Sequence, residues 1–112
     1  MAKIYVQNVP EIWKYSGSVA ASGSVTSGSF WTKGYAKLQG ILFTSASLVT
    51  DGLKVFQSAD GGANWDAVTQ YTVAADSGSS FSIDIRGEAA RIEVHVDSAA
   101  STLRTGWWLR PI

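Results

Sequence analysis

Between residues 81 and 97 hydrophobic and polar positions alternate with a period of two. Phe81, Ile83 and Ile85 interleave with Ser82, Asp84 and Arg86, and Ile92, Val94 and Val96 interleave with Arg91, Glu93, His95 and Asp97. Successive strand side chains point to opposite faces, so each run predicts a strand with one buried and one wet face. The spacer Gly87-Glu88-Ala89-Ala90 is short enough to predict an antiparallel hairpin between them. Upstream, Leu38, Gly40 and Leu42 share one face, with Gln39, Ile41 and Phe43 on the other. Two partly apolar faces predict a central strand, or a face covered by a partner. Thr50-Asp51-Gly52 predicts a turn ahead of a strand at 53–58, and another strand is expected over 67–75. "KIYVQNV" (3–9) and "TLRTGWWLRPI" (102–112) complete the set.

The stretch 16–29, "SGSVAASGSVTSGS", has the composition of a linker. A structureless loop that long is uncommon inside so small a domain, so it reads as edge strands with Val19 and Val25 inward. No segment keeps a 3.6-residue period over the ten or more residues a helix needs. The best helical fragment is a single turn at Ser47-Leu48-Val49. Short strands and Gly-rich turns without helices predict an all-β chain. The expected architecture is one antiparallel β-sandwich or jelly-roll-like domain of about eight strands over residues 1–112. Residues 1–15 form an extended N-terminal arm or an edge strand in this reading.

Composition narrows the function classes. The chain has 112 residues, 46% of them hydrophobic and 12% aromatic, enough for a core without covalent staples. Nine basic and nine acidic residues cancel, and no basic run exists to attract nucleic acid or an anionic membrane. Without cysteine there is neither a disulfide framework nor a zinc–thiolate site. "MAKIYVQNVPEIW" lacks the apolar run and cleavage site of a signal peptide, and no segment approaches a membrane span of about 20 apolar residues. The expectation is a soluble protein made in the cytoplasm.

Catalytic chemistry finds no footing. His95 lies on the polar face of its strand, between Glu93 and Asp97, where a solvated imidazole is expected rather than an acid, base or metal ligand. Glycoside hydrolysis needs two carboxyl groups facing across a cleft, and Glu11, Glu88 and Glu93 form no evident inward pair. No Gly-x-Ser-x-Gly elbow or phosphate loop occurs. No catalytic residue, cofactor or metal is expected.

The aromatic residues say more. Trp107 and Trp108 are adjacent on one strand, so at most one of them faces a single core. The other lies outside, beneath a loop or under another chain. With Trp31, Tyr35, Arg104 and Arg110 they make a candidate surface, either a subunit interface or a sugar-stacking platform. "SADGGANW" (58–65) fits Ser-x-Asp-x-Gly-x-x-Trp, the Asp-box hairpin repeated around sialidase propellers. Here there is one copy and no repeat, in a chain too short for a propeller. Ser58, Asp60, Gly62 and Trp65 are therefore expected to build a rigid turn between strands 53–58 and 67–75.

A longer pattern covers most of residues 30–111. It comprises a strand with a mid-strand glycine ("YAKLQGILF"), "GLKVFQSADG", an alternating pair of strands ending in "ARIEV", and the "LR…LRP" terminus. In these features the chain resembles small β-sandwich virion proteins of tailed bacteriophages, including capsid decoration (cement) proteins and related head or tail accessory domains. The resemblance implies a non-enzymatic structural protein of the virion that docks on a major capsid protein or another virion protein. It also implies a homo-oligomer, a trimer among its forms. The alternative from the residues alone is a carbohydrate-binding module using exposed tryptophans.

Overall fold

Eight strands and no helix form in residues 10–111, the part of the chain that the computed structural model describes. They are β1 (Glu11–Val19), β2 (Ser24–Trp31), β3 (Tyr35–Thr44), β4 (Leu48–Ser58), β5 (Ala67–Tyr71), β6 (Ser77–Asp84), β7 (Ala89–Val96) and β8 (Ser101–Pro111). One sheet has the order β1-β8-β3-β6 and the other β2-β7-β4-β5. The antiparallel pairs β1–β8, β2–β7, β3–β6 and β4–β5 nest one inside the next, as in one long hairpin. Rolling that hairpin up adds β3–β8 and β4–β7, which gives a double-sheet jelly roll. The expected all-β sandwich is what forms.

The core lies between the sheets and follows the period-two pattern. Leu38, Leu42, Ile83, Leu103, Trp107 and Leu109 face inward from one sheet, and Leu53, Val55, Ile92, Val94 and Val96 from the other. Edge strands β1 and β2 contain the Gly/Ser-rich stretch, with Val19 buried and Val25 packed against the core. Residues 11–15 of the expected arm belong to β1, paired with β8. The strand expected at 3–9 lies outside the described residues.

Four expectations are corrected. Strands β6 and β7 do not form a hairpin, because they belong to opposite sheets. Alternation reveals that a strand has a buried face, but both sheets of a sandwich bury one, so the pattern cannot distinguish a hairpin from an arch. Residues 85–88 arch across the end of the sandwich instead. Buried Gln57 holds them: Oε1 accepts from the Arg86 and Gly87 amides at 2.7 and 3.1 Å, and Nε2 donates to Asp84 O at 3.0 Å. Thr32 Oγ1 donates to Gly87 O at 2.9 Å, and the Glu88 amide donates to Ser58 O at 2.8 Å.

The turn expected at 50–52 is a bulge within β4. Leu48 lies opposite Val96 and Leu53 opposite Val94, so β4 carries three surplus residues there. Asp51 takes φ 55°, and a Cβ on Gly52 would stand 2.8 Å from both His95 O and Val49 O. The fragment proposed as a helical turn at 47–49 enters β4 directly. The strand expected over 67–75 stops at Tyr71, because the chain must then cross to the other sheet. Buried Val73 marks that crossing, accepting from the Leu48 amide at 3.1 Å.

Candidate functional site

The 58–65 loop is a closed hydrogen-bonded turn at one end of the sandwich. Ser58 Oγ donates to Asp60 Oδ1 at 2.7 Å and accepts from the Gly62 amide at 2.8 Å. Asp60 accepts from the Asn64 amide at 2.8 Å and from Asn64 Nδ2 at 2.7 Å. Gly61 and Gly62 supply φ values of 72° and 102°. Ser58, Asp60 and Gly62 are thus brought together in one turn. Asn64 is the member that the sequence reading missed, although an Asn inside an Asp-led turn is a usable signal.

The Asn64 side chain, then the Ser58 hydroxyl, hold the Asp60 carboxyl down at about 2, against an ordinary 3.8. Hydrogen bonds to the ionised form therefore support the turn fully above pH 3.8, and that support is lost as pH falls toward 2. In an NMR titration the Asp60 carboxyl is expected to ionise near the bottom of the aspartate range in the parent. In Asn64→Ala it is expected to move back toward 3.8. An unchanged titration would remove Asn64 as its main partner.

Trp65 anchors the turn on the outer face of β2-β7-β4-β5. Its ring meets Phe56 edge-on at 6.4 Å between centroids. The Arg91 guanidinium lies 4.5 Å from the centre of Phe56 and 4.8 Å from that of Trp65. Arg91 Nε is 3.0 Å from Glu93 Oε2, and Glu93 Oε1 is 3.0 Å from His95 Nε2. His95 thus ends a row of hydrogen-bonded polar side chains on a sheet face. Among the described residues no three His, Cys, Asp or Glu side chains converge as metal ligands. Trp31 stands beside the turn, 65% exposed, with its ring only 2.9 Å from where a Cβ on Gly61 would be.

The six candidate interface residues are not one patch. Trp107 is fully buried, stacked on Phe81 at 5.8 Å, and so leaves the candidate surface. Its Nε1 donates to Thr105 Oγ1 at 2.7 Å, and that hydroxyl donates to Ile41 O at 2.8 Å. Tyr35 packs against the core and Trp31 sits in β2, in the other sheet. Trp108 and Arg104 remain together on the outer face of β1-β8-β3-β6, as the alternation of β8 requires. Arg110 is exposed on the same strand, opposite Lys37, whose Nζ donates to Asp84 at 2.7 Å and lowers that carboxyl's pKa.

That outer face carries a shallow apolar trough of about 470 Å³, walled by Ile41, Phe43, Arg104, Trp108 and Lys14. Gly106 forms part of its floor, and a Cβ placed there would touch nothing within 4 Å. Ile41 is 53% exposed, and Arg104 lies over the Phe43 ring at 4.7 Å. Ile41 and Phe43 carry the apolar second face already visible in the alternation of β3.

No protein-family model and no curated protein matches the chain. Among solved structures it is similar to a chain of the Bacillus endospore appendages, described as "a novel family of disulfide-linked pili". The two are 14% identical with a TM-score of 0.55, over all of this chain and 96% of the other. The likeness is one of fold.

Proposed function

We propose that this protein is a non-enzymatic structural subunit that assembles with copies of itself on a particle surface. In its finer form the reading is a capsid decoration protein of a phage-type virion. The observation that carries it is the trough, where exposed Ile41 and half-buried Phe43 and Trp108 line a regular sheet face. An exposed apolar patch rimmed by Lys14 and Arg104 is the composition of a protein contact. The similarity to a pilus subunit supports assembly as the theme. This chain has no cysteine, so disulfides would not link its copies as they link those pili.

Light scattering on the full chain should show an oligomer, and Ile41→Asp with Trp108→Ala should return it to monomer while the thermal midpoint moves by only a few degrees. Binding to purified phage shells tests the finer form. A parent that stays monomeric to millimolar concentration and binds oligosaccharide would overturn the reading in favour of a carbohydrate-binding module. Trp31, held at 65% exposure against Gly61, would be its stacking platform.

A further inference from the structure

Two sheets have four edges, and three of them are interrupted or short. β1 has a register shift between Glu11 and Trp13, β2 has one between Thr26 and Ser29 with Gly28 at φ 71°, and β5 is only five residues long. β6 is different: it runs for eight residues in unbroken register with β3, from Ser77 opposite Thr44 to Asp84 opposite Lys37. Its sequence, SGSSFSID, has one charge, at the very end, and no proline. Among the described residues no strand covers its far side. A long regular edge without a bulge, a lysine or a proline is a template for another strand.

The side chains of an added strand would also find a place. Between the edges β5 and β6 the sandwich gapes, leaving a space of about 260 Å³ lined by Ala67, Thr69, Tyr71 and Ile83 among others. A strand laid along β6 would turn every second side chain over this gap. In "KIYVQNV" Ile4 and Val6 are two apart, with Tyr5 and Gln7 on the opposite side.

Topology decides whose segment that is. Pro10, just after this stretch, is held at the β1 edge by a 3.0 Å bond from the Leu109 amide to its carbonyl. β1 and β6 are opposite edges of the same four-stranded sheet. To lie beyond its own β6 the segment would first have to cross four strand spacings, about 19 Å. Extended residues 3–9 reach only about 23 Å, which leaves almost nothing to pair. A second copy offers its β6 edge without that detour.

We infer that residues 3–9 of one copy add as a strand to the free edge of β6 in the next, with Ile4 and Val6 over the gap beside Ile83 and Tyr71. Donor and acceptor lie on opposite edges of one sheet, so the contact is heterologous. It therefore propagates into a ring or a filament instead of closing as a pair. The inference rests on the self-association proposed above and names its second element beside the trough.

The chain has no native cysteine, which makes cross-linking clean. Tyr5→Cys and Gln7→Cys variants are each mixed with Ser80→Cys and Ser82→Cys variants of the full chain and oxidised. The expected product is a mixed disulfide dimer, with little cross-linking within any single variant. Val6→Pro, which removes a ladder donor, should weaken assembly about ten-fold by light scattering. Circular dichroism should stay unchanged. A parent oligomer that ignores Val6→Pro and yields no mixed disulfide overturns this contact and leaves the self-association reading standing. A dominant disulfide between two copies of the Ser80→Cys variant would overturn it too, in favour of β6 pairing with β6. A parent that is monomeric throughout defeats both.

Discussion

Gly40→Ala is expected to destabilise the domain by about 3 kcal/mol or more, the upper end for an overpacked core. A Cβ at that position would stand 2.2 Å from Cδ2 of Trp107 and 2.3 Å from Cε3. Those atoms belong to a rigid, fully buried indole, stacked on Phe81 and tied through Nε1 to Thr105. The ring has nowhere to go, so one methyl must displace either the indole or the β3–β8 pairing, in which Gly40 lies directly opposite Trp107. In a domain of this size such a loss lowers the melting temperature by about 10–20 °C. Trp107→Leu alone should also destabilise by several kcal/mol, since it opens a cavity. Combined with Gly40→Ala it should cost clearly less than the sum, because the methyl then occupies space the indole left. Additive losses in a double-mutant cycle would mean that the two residues are not the coupled pair the geometry describes.

Gln57→Leu is expected to be nearly as damaging, by about 3 kcal/mol, for a different reason. The amide satisfies the Arg86 and Gly87 N–H groups and the Asp84 carbonyl. Leucine would leave those three backbone groups without partners at a partly buried position, at about 1–3 kcal/mol each where water cannot replace them. Gln57→Glu separates the contributions. Its carboxylate accepts from both amides but cannot donate to Asp84 O, so an intermediate loss is expected. Hydrogen exchange should separate the variants locally, with faster exchange at Arg86 and Gly87 in Gln57→Leu and little change at those two amides in Gln57→Glu. Gly87→Ala should reproduce the leucine result, because its Cβ would meet the Ser58 carbonyl oxygen at 2.5 Å. Equal stability of all three variants in urea would show that the arch tolerates other paths.

Both positions bear on assembly as well as folding. Gly40 and Trp107 set the packing at the β3–β8 centre, on whose outer side Ile41 and Trp108 form the trough. The Gln57 arch sets the end of β6, the edge inferred to take a second copy's strand.

Much of this was legible in the chain itself. Period-two alternation separated the two faces of β3, β6, β7 and β8 and put Trp107 and Trp108 on opposite ones, while the tertiary structure decided that Trp107 is the buried member. The Ser58–Asp60–Gly62 turn was legible because its bonds are local: every partner lies within four residues. The tertiary structure alone decided which sheet each strand joined. Alternation is the same whether a neighbour pairs beside a strand or packs across the core, so β6 and β7 read as a hairpin and are an arch. It also decided why Gly40 and Gly87 are glycines, since the atoms that exclude a side chain come from Trp107 and Ser58, remote in sequence. The trough has the same origin: residues of β1, β3 and β8 become one surface only when hydrogen bonding places those strands side by side.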